Sequence, residues 1–231
     1  MREVNPEFVV MTEGIHDTLL DGIAFVHGWG CGFAAAGARH NMFGGDNTFP
    51  ALFRTVFPGL PMIQRHPNPC IDRHQANFAA VHGLRHEIET RYRPDVRYLA
   101  EDVMPEEIDY ADCAYYPPDI DLIRKNKPAE AREYLRALVA FERRYSEFLY
   151  QGEFVGDNGC CDNSGLIANV YTVSDGRLAV CVWNPGDVAQ KCVLNMPGYD
   201  LIECSEPENE KPNPEAPLPA ESVRIYLFKQ R

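Results

Sequence analysis

The sequence lacks an excess of positive charge and lacks any long hydrophobic run. Its 22 basic residues are outnumbered by 34 acidic ones, which gives a formal net charge of −12. An acidic surface repels nucleic-acid phosphates and anionic lipid headgroups, so we expect neither nucleic acid nor membrane as a primary partner. The apolar runs fall well short of the roughly 20 residues that cross a bilayer. The short apolar run behind Met1 ends at Glu13 and does not form a signal peptide, so a cytoplasmic location is the default expectation.

Several motifs of catalysis and ligand binding are also missing. The chain has no Gly-x-Ser-x-Gly element, which disfavours a serine hydrolase of that type. The glycines of residues 28–47 do not have the order of a phosphate-binding loop. The eight cysteines contain no Cys-x-x-Cys pair, so we interpret the thiols as reduced and expect no zinc site built from them. We expect no cofactor.

The hydrophobic pattern divides the 231 residues into two predicted parts. Residues 1–151 mix short apolar runs with helical patterns, which is typical of an α/β region. There the sequence predicts strands over 7–12 and 59–65, and helices over 18–27, 50–57, 73–92 and 128–149. Residues 152–231 change to a period of two, which predicts a small antiparallel β-sandwich domain. Its strands are predicted over 167–173, 177–183, 191–196, 199–203 and 222–229.

Glu13 is the leading candidate for chemistry. It ends the apolar run that begins at Phe8, and Gly14 follows it. Such runs are typical of buried parallel strands, whose C-terminal ends carry the catalytic residues of α/β enzymes. A carboxylate in this position can act on a sugar as a general acid/base or as a nucleophile. The alternative is a structural ion pair with an arginine.

Five further residues are candidates for binding a substrate. His16 and Asp17 follow in the same predicted loop, where Asp17 is equally suited to cap the next helix. Arg65 and His66 directly follow the second predicted strand and would face the same end of the sheet, although Arg65 is as well suited to an ion pair. Trp29 can stack on a pyranose face, or it can be an ordinary core residue.

All seven histidines precede residue 87, which concentrates polar chemistry in the first part of the chain. His82 and His86 are four residues apart on the predicted helix, which is the spacing of helical zinc ligands. The segment lacks the His-Glu opening of that motif, and a solvated or capped pair of histidines is the alternative. A metal-dependent hydrolase is therefore kept as a weaker functional hypothesis.

Four segments carry a resemblance to a known group of proteins. They are residues 5–17, 52–58, 77–83 and 141–152. Together they resemble the C-terminal half of bacterial glycoside-hydrolase-like proteins, which have a (β/α)8 barrel followed by an all-β domain. The resemblance implies a partial TIM-barrel-like α/β region followed by an antiparallel sandwich. It also implies a carbohydrate substrate and a catalytic or sugar-binding role for Glu13.

The length of the α/β region departs from that group. A complete barrel takes roughly 250 residues, and only residues 1–151 precede the predicted β domain. We therefore expect a fragment of a longer product, a barrel completed by another chain or by a homo-oligomer, or an open α/β sheet. The first functional hypothesis is a glycoside hydrolase that is active once completed. The second is a non-catalytic carbohydrate-binding or scaffold remnant.

Overall fold

Two β-sheets with helices between them form the described part of the protein. A computed structural model describes residues 11–13, 24–27, 48–66, 73–88 and 128–231. The strands are β1 (Met11–Glu13), β2 (Phe25–His27), β3 (Met62–His66), β4 (Arg85–Ile88), β5 (Glu153–Gly156), β6 (Ile167–Thr172), β7 (Arg177–Asn184), β8 (Tyr199–Ser205) and β9 (Ser222–Gln230). The helices are α1 (Thr48–Val56), α2 (Arg73–Val81), α3 (Pro128–Arg144) and α4 (Ser146–Leu149).

The first sheet is parallel and has the order β1-β2-β3-β4, so each strand lies beside its neighbour in the sequence. Helix α1 connects β2 to β3, and helix α2 connects β3 to β4. Parallel neighbours need a crossover of this kind. The prediction of an α/β region is therefore confirmed for the described residues.

The second sheet is antiparallel and has the order β5-β6-β7-β9-β8. Both faces of its central strands β6, β7 and β9 are buried, which strand β7 shows most clearly. Ala179, Cys181 and Trp183 belong to one hydrophobic core, and Val180 and Val182 belong to another on the opposite face. This alternation follows from the two-residue period of a strand. One face packs against the helices, and the other packs against the loops of residues 157–166, 185–198 and 206–221.

Helix α2 lies between the two sheets. It contacts β3 and β4 on one side and β6, β7 and β9 on the other. Three of its buried residues are alanines, Ala76, Ala79 and Ala80, and their small side chains allow neighbouring elements to approach closely. Phe78 and Val81 are also completely buried in the same core. The two sheets therefore share one continuous hydrophobic core.

The end of α2 is bonded to the antiparallel sheet. The Val81 carbonyl accepts hydrogen bonds from Asn169 Nδ2 at 2.9 Å and from the Tyr171 hydroxyl at 2.8 Å. The helix closes with hydrogen bonds from Gly83 N to Ala80 O and from Leu84 N to Ala79 O, which is a Schellman ending. Gly83 has the left-handed φ of +63° that this ending requires.

The structure corrects several sequence predictions. The helix predicted over 73–92 ends at Val81, because the Schellman ending at Gly83 leads directly into strand β4. Residues 25–27, predicted as helix, form strand β2. No strand covers 191–196, where Gln190 and Leu194 form only isolated bridges, and the short strand β5 was not predicted. Residues 152–231 form one sheet with isolated bridges over it, so the sandwich layout is not confirmed.

The remaining predicted elements agree with the structure to within a few residues at their ends. Helices α1 and α3 and strands β3, β6, β7, β8 and β9 all lie where the pattern placed them. The boundary after residue 151 stays a prediction, although the shared core crosses it. None of the described helices is both long enough and apolar enough to cross a bilayer.

We expect Gly83→Ala to destabilise the protein strongly. An added Cβ would lie 2.3 Å from the Leu149 carbonyl oxygen, at a residue with positive φ. The backbone term costs about 1–2 kcal/mol and overpacking costs about 1–3 kcal/mol more, so urea unfolding should show a loss of roughly 3 kcal/mol.

Substitutions at two other glycines distinguish the backbone cost of a positive φ from the cost of overpacking. Gly198→Ala, at φ +84° with no atom within 4 Å of the new Cβ, should cost only about 1–2 kcal/mol. Gly59→Ala has neither constraint and should be close to neutral. Equal losses at Gly83 and Gly198 would show that the contact with Leu149 is unimportant.

Candidate functional site

The C-terminal ends of the parallel strands bring polar residues from different parts of the chain to one edge of the sheet. Glu13 is the last residue of β1 and is the register partner of His27, the last residue of β2. His27 is in turn the register partner of Ile63 in β3. We call Glu13, His27 and Ile63 the register row.

The register row alternates with a buried row. One residue earlier, Thr12 pairs with Val26, and Val26 pairs with Met62. Val26 and Met62 are completely buried in the core that contains α2. Because successive strand positions belong to opposite faces of a sheet, Ile63 belongs to the face away from that core.

The predicted binding residues of β3 lie beyond this row on the same edge. Arg65 is two positions further along β3 than Ile63 and is the register partner of Glu87 in β4. His66 is the final residue of β3. The structure thus places the backbones of Glu13, Arg65 and His66 at one end of one sheet. His16, Asp17 and Trp29 lie outside the described residues.

Sequence reasoning missed His27 and Glu87. Residues 25–27 were included in a predicted helix, so His27 was not recognised as the end of a strand. A signal was available, because Phe25-Val26-His27-Gly28 repeats the form of Met11-Thr12-Glu13-Gly14: apolar or β-branched residues, one ionisable residue, then glycine. Glu87 was not recognised as a strand residue either, because the helix predicted over 73–92 includes it.

A buried acidic group lies on the helix side of β4, away from the register row. The Glu142 carboxylate of α3 is 2.9 Å from His86 Nε2, with side-chain exposures of 1% and 7%. Glu142 also hydrogen-bonds the Tyr150 hydroxyl, and burial together with Glu142 raises the pKa of Tyr150. The Arg85 guanidinium lies 3.5 Å from the centroid of the Tyr150 ring, a cation–π contact.

Glu142 joins α3 and α4 to β4 rather than to a ligand. Its position could have been recognised in the sequence, because Leu138, Glu142, Tyr145 and Leu149 follow one another at helical spacing on the apolar stripe. An acid inside such a stripe is expected to be buried with a hydrogen-bonding partner.

His82 and His86 do not form the predicted helical pair. His82 follows the end of α2, and its Nδ1 is 2.9 Å from the Phe78 carbonyl, while His86 is in β4 beside Glu142. Burial lowers the pKa of His82 to about 4, so its ring is neutral at physiological pH and Nδ1–H donates to Phe78. Within the described ranges, no three His, Cys, Asp or Glu side chains gather into a metal-binding group.

The fold is similar to that of known carbohydrate-active enzymes. The chain aligns over 97% of its length with 51% of a debranching enzyme from Nostoc punctiforme, at a TM-score of 0.56 and 13% identity. It aligns over 96% with 56% of the trehalose-6-phosphate hydrolase of Bacillus licheniformis (TM-score 0.58, 13% identity). It aligns over 99% with 55% of an alpha-amylase from H. orenii (TM-score 0.54, 13% identity).

These likenesses show a glycoside-hydrolase-like fold, of the kind found in TIM-barrel glycosidases. At such low identity they establish the fold alone. The chain spans about half the length of these solved structures. No protein-family model and no curated protein sequence matches the chain.

We expect the stability of the protein to fall between pH 7 and pH 5 because of His82. The folded-state pKa of about 4 is below the ordinary value of 6.5. As the pH falls through 6.5, the unfolded chain takes up a proton that the folded chain excludes. The loss is about 2 kcal/mol by pH 5 and is complete only below the folded pKa.

Urea unfolding of wild type and His82→Gln at the two pH values checks this. The variant starts from a lower stability, but its dependence on pH should be smaller than that of wild type by about 2 kcal/mol. An unchanged dependence in the variant would mean that His82 is not the group responsible.

We expect Glu142→Ala to cost roughly 3 kcal/mol or more, because it removes the shared acceptor of the His86 side chain, which is 7% exposed, and of the half-buried Tyr150. Glu133→Ala on the same helix is the matched control. Glu133 pairs with Arg136 at 2.6 Å, but both side chains are about two-thirds exposed or more, so this change should cost less than about 1 kcal/mol. Similar losses from both variants in urea unfolding would contradict the assignment of Glu142 as a buried structural acid.

Proposed function

We propose that the C-terminal edge of the parallel sheet is a carbohydrate site and that Glu13 is its catalytic carboxylate. His16, Asp17, Trp29, Arg65 and His66 shape the site around the sugar. The observation that carries the proposal is the register pairing of Glu13 with His27, at the strand ends of a fold shared with glycosidases.

The geometry of the edge supports this assignment. In barrels of this kind the chemistry is built from residues at the C-terminal ends of several strands. Here three neighbouring strands end in Glu13, His27 and His66, which supply a carboxylate and two groups able to hydrogen-bond hydroxyls. Polar groups of these types are what a glycosidase uses for proton transfer and for holding a sugar.

A glycosidase needs a second carboxylate, and Glu87 does not fit that role. Retaining enzymes hold the pair roughly 5–5.5 Å apart and inverting enzymes roughly 6.5–9.5 Å apart. Strands β1 and β4 are separated by three strand spacings, or about 14 Å along the sheet. We therefore propose that the partner of Glu13 comes from outside the described strands, either from a barrel half in a longer product or from another chain.

The chain covers only about half of the similar solved structures, which supports an incomplete site. The four parallel strands among the described residues are half of the eight in a (β/α)8 barrel. If a second copy supplied the rest, the complex would be a homodimer, and light scattering of the purified chain would give twice the mass of one chain. A monomer mass would leave the longer product or a different chain as the source.

We expect this chain to bind malto-oligosaccharides and to show little or no hydrolysis of aryl glycosides by itself. Glu13→Gln should weaken sugar binding about tenfold, the effect of losing one charged hydrogen bond. Isothermal titration calorimetry measures the binding, and release of the aryl group measures the hydrolysis. Glu153→Gln is the control, since Glu153 is exposed on β5 of the other sheet.

The possible results separate the hypotheses. Equal binding by wild type and Glu13→Gln would overturn the assignment of Glu13. Turnover by the isolated chain that disappears in Glu13→Gln would support the catalytic role but refute the incompleteness of the site. Binding without turnover, in the isolated chain and in any complex that it forms, would favour the carbohydrate-binding or scaffold role. Stoichiometric metal in the purified protein would favour the metal-dependent hydrolase.

A further inference from the structure

The outer face of the antiparallel sheet carries a group of thiols. Cys160, Cys161, Cys192 and Cys204 all belong to the hydrophobic core on this face, whereas Cys181 lies on the opposite face of β7. All five are free, and Cys161 and Cys192 are only partly buried. These thiols lie on the side of the sheet away from the helices and from the proposed sugar site.

The backbone brings Cys161 and Cys192 together. Cys161 forms an isolated antiparallel bridge with Leu194, fixed by hydrogen bonds from Asp162 N to Val193 O at 3.3 Å and from Asn195 N to Cys160 O at 2.9 Å. Cys192 lies two residues before Leu194 and therefore on the same side of the extended segment. It is the diagonal neighbour of Cys161, and both side chains pack against the hydrophobic core on this face of the sheet.

The two thiols have different acidities. Interaction with the neighbouring Cys192 thiol lowers the pKa of Cys161 to about 6, against the opposing effects of burial and of the charges of Asp157 and Asp162. The same contact raises the pKa of Cys192. A thiolate at Cys161 beside a protonated thiol at Cys192 is the arrangement of a nucleophilic and a resolving cysteine.

We propose that Cys161 and Cys192 are a reversible thiol–disulfide pair that reacts with low-molecular-weight disulfides such as oxidised glutathione. The Cys161 thiolate attacks one sulfur of the small disulfide, forming a mixed disulfide and releasing one thiolate. Cys192 then loses its proton to solvent and attacks the Cys161 sulfur, which expels the second small thiolate. Two protein thiols are oxidised to one disulfide, and one small disulfide is reduced to two thiols.

The neighbouring cysteines are unsuited to the first step. Burial raises the pKa of Cys160 to about 12 and that of Cys204 to about 11, so neither supplies a thiolate near neutral pH. Cys161 and Cys192 both lie outside the five strands, in segments joined by one isolated bridge and by side-chain hydrogen bonds of Asn163 and Gln190. A local shift there can bring the two sulfurs to the bonding distance of roughly 2 Å without breaking a strand.

The first test incubates the full chain with oxidised glutathione, quenches free thiols with an alkylating agent and maps cross-linked peptides by mass spectrometry. Wild type should lose two hydrogen atoms and show a link between the peptides that contain Cys161 and Cys192. Cys160→Ser and Cys204→Ser should form the link as wild type does, and Cys161→Ser and Cys192→Ser should lose it. Cys192→Ser should instead hold one glutathionyl group on Cys161.

Several results would overturn the proposal. They are a link that persists in Cys161→Ser, a link that requires Cys160 or Cys204, and the absence of any link in wild type. Circular dichroism of each reduced variant checks that the fold is kept, so that loss of the cross-link can be attributed to the missing thiol and not to unfolding.

A second test uses wild-type protein only and does not depend on the folding of variants. A low pKa raises the thiolate fraction but lowers nucleophilicity, so the advantage of Cys161 is small at neutral pH and large in mild acid. At about pH 5.5, iodoacetamide should modify Cys161 roughly tenfold faster than an ordinary exposed cysteine. Peptide mapping against a free cysteine standard gives the ratio, and labelling of Cys161 no faster than Cys204 would overturn the proposal.

Discussion

The complete burial of helix α2 from Ala76 to Val81 between two sheets is the constraint on which the rest of the structure depends. This part of the helix has no face left for water, so each of these residues must be small, apolar or internally bonded. The alanines satisfy the first condition, and Phe78 satisfies the second. Asn77 satisfies the third, since its amide donates to the Glu221 carbonyl at 2.8 Å and its side-chain oxygen accepts from the Tyr134 hydroxyl.

The same constraint extends from α2 to the orientation of the candidate site. Because Val81 is bonded to Asn169 and Tyr171, the segment that leads into β4 is fixed on the antiparallel sheet before the strand begins. Strand β4 then pairs with β3, and β3 pairs with β2, so the positions of the strand ends follow from one docked turn. The C-terminal sheet therefore contributes to the proposed sugar site as its support, although it supplies none of the proposed sugar-binding residues.

The sequence predicted the elements whose patterns are local and repeated. The stripe of α3 and the alternation of β7 and β9 are of this kind, as is the carboxylate at the end of β1. Prediction from the sequence failed where a short helix and a short strand follow each other without a polar linker. Ala80, Leu84 and Ile88 continue at helical spacing, and only the left-handed Gly83 separates helix from strand. Strand β2 has three residues, too few to establish a period of two. The partner carboxylate proposed for Glu13 could not be predicted, because the proposal places it outside the described strands.

The two tryptophans lie in different parts of the sequence. Trp183 is 1% exposed and packs edge-on against His74 and Phe78, with ring centroids 4.7 Å and 6.2 Å away, at the contact between α2 and β7. Trp29, outside the described residues, is one of the residues proposed to bind the sugar. The blue, shielded emission expected of Trp183 monitors the joint between the sheets, and the proposed sugar site predicts that a bound sugar would change the emission of Trp29 instead. On that proposal the protein contains one optical reporter for ligand and a separate one for integrity.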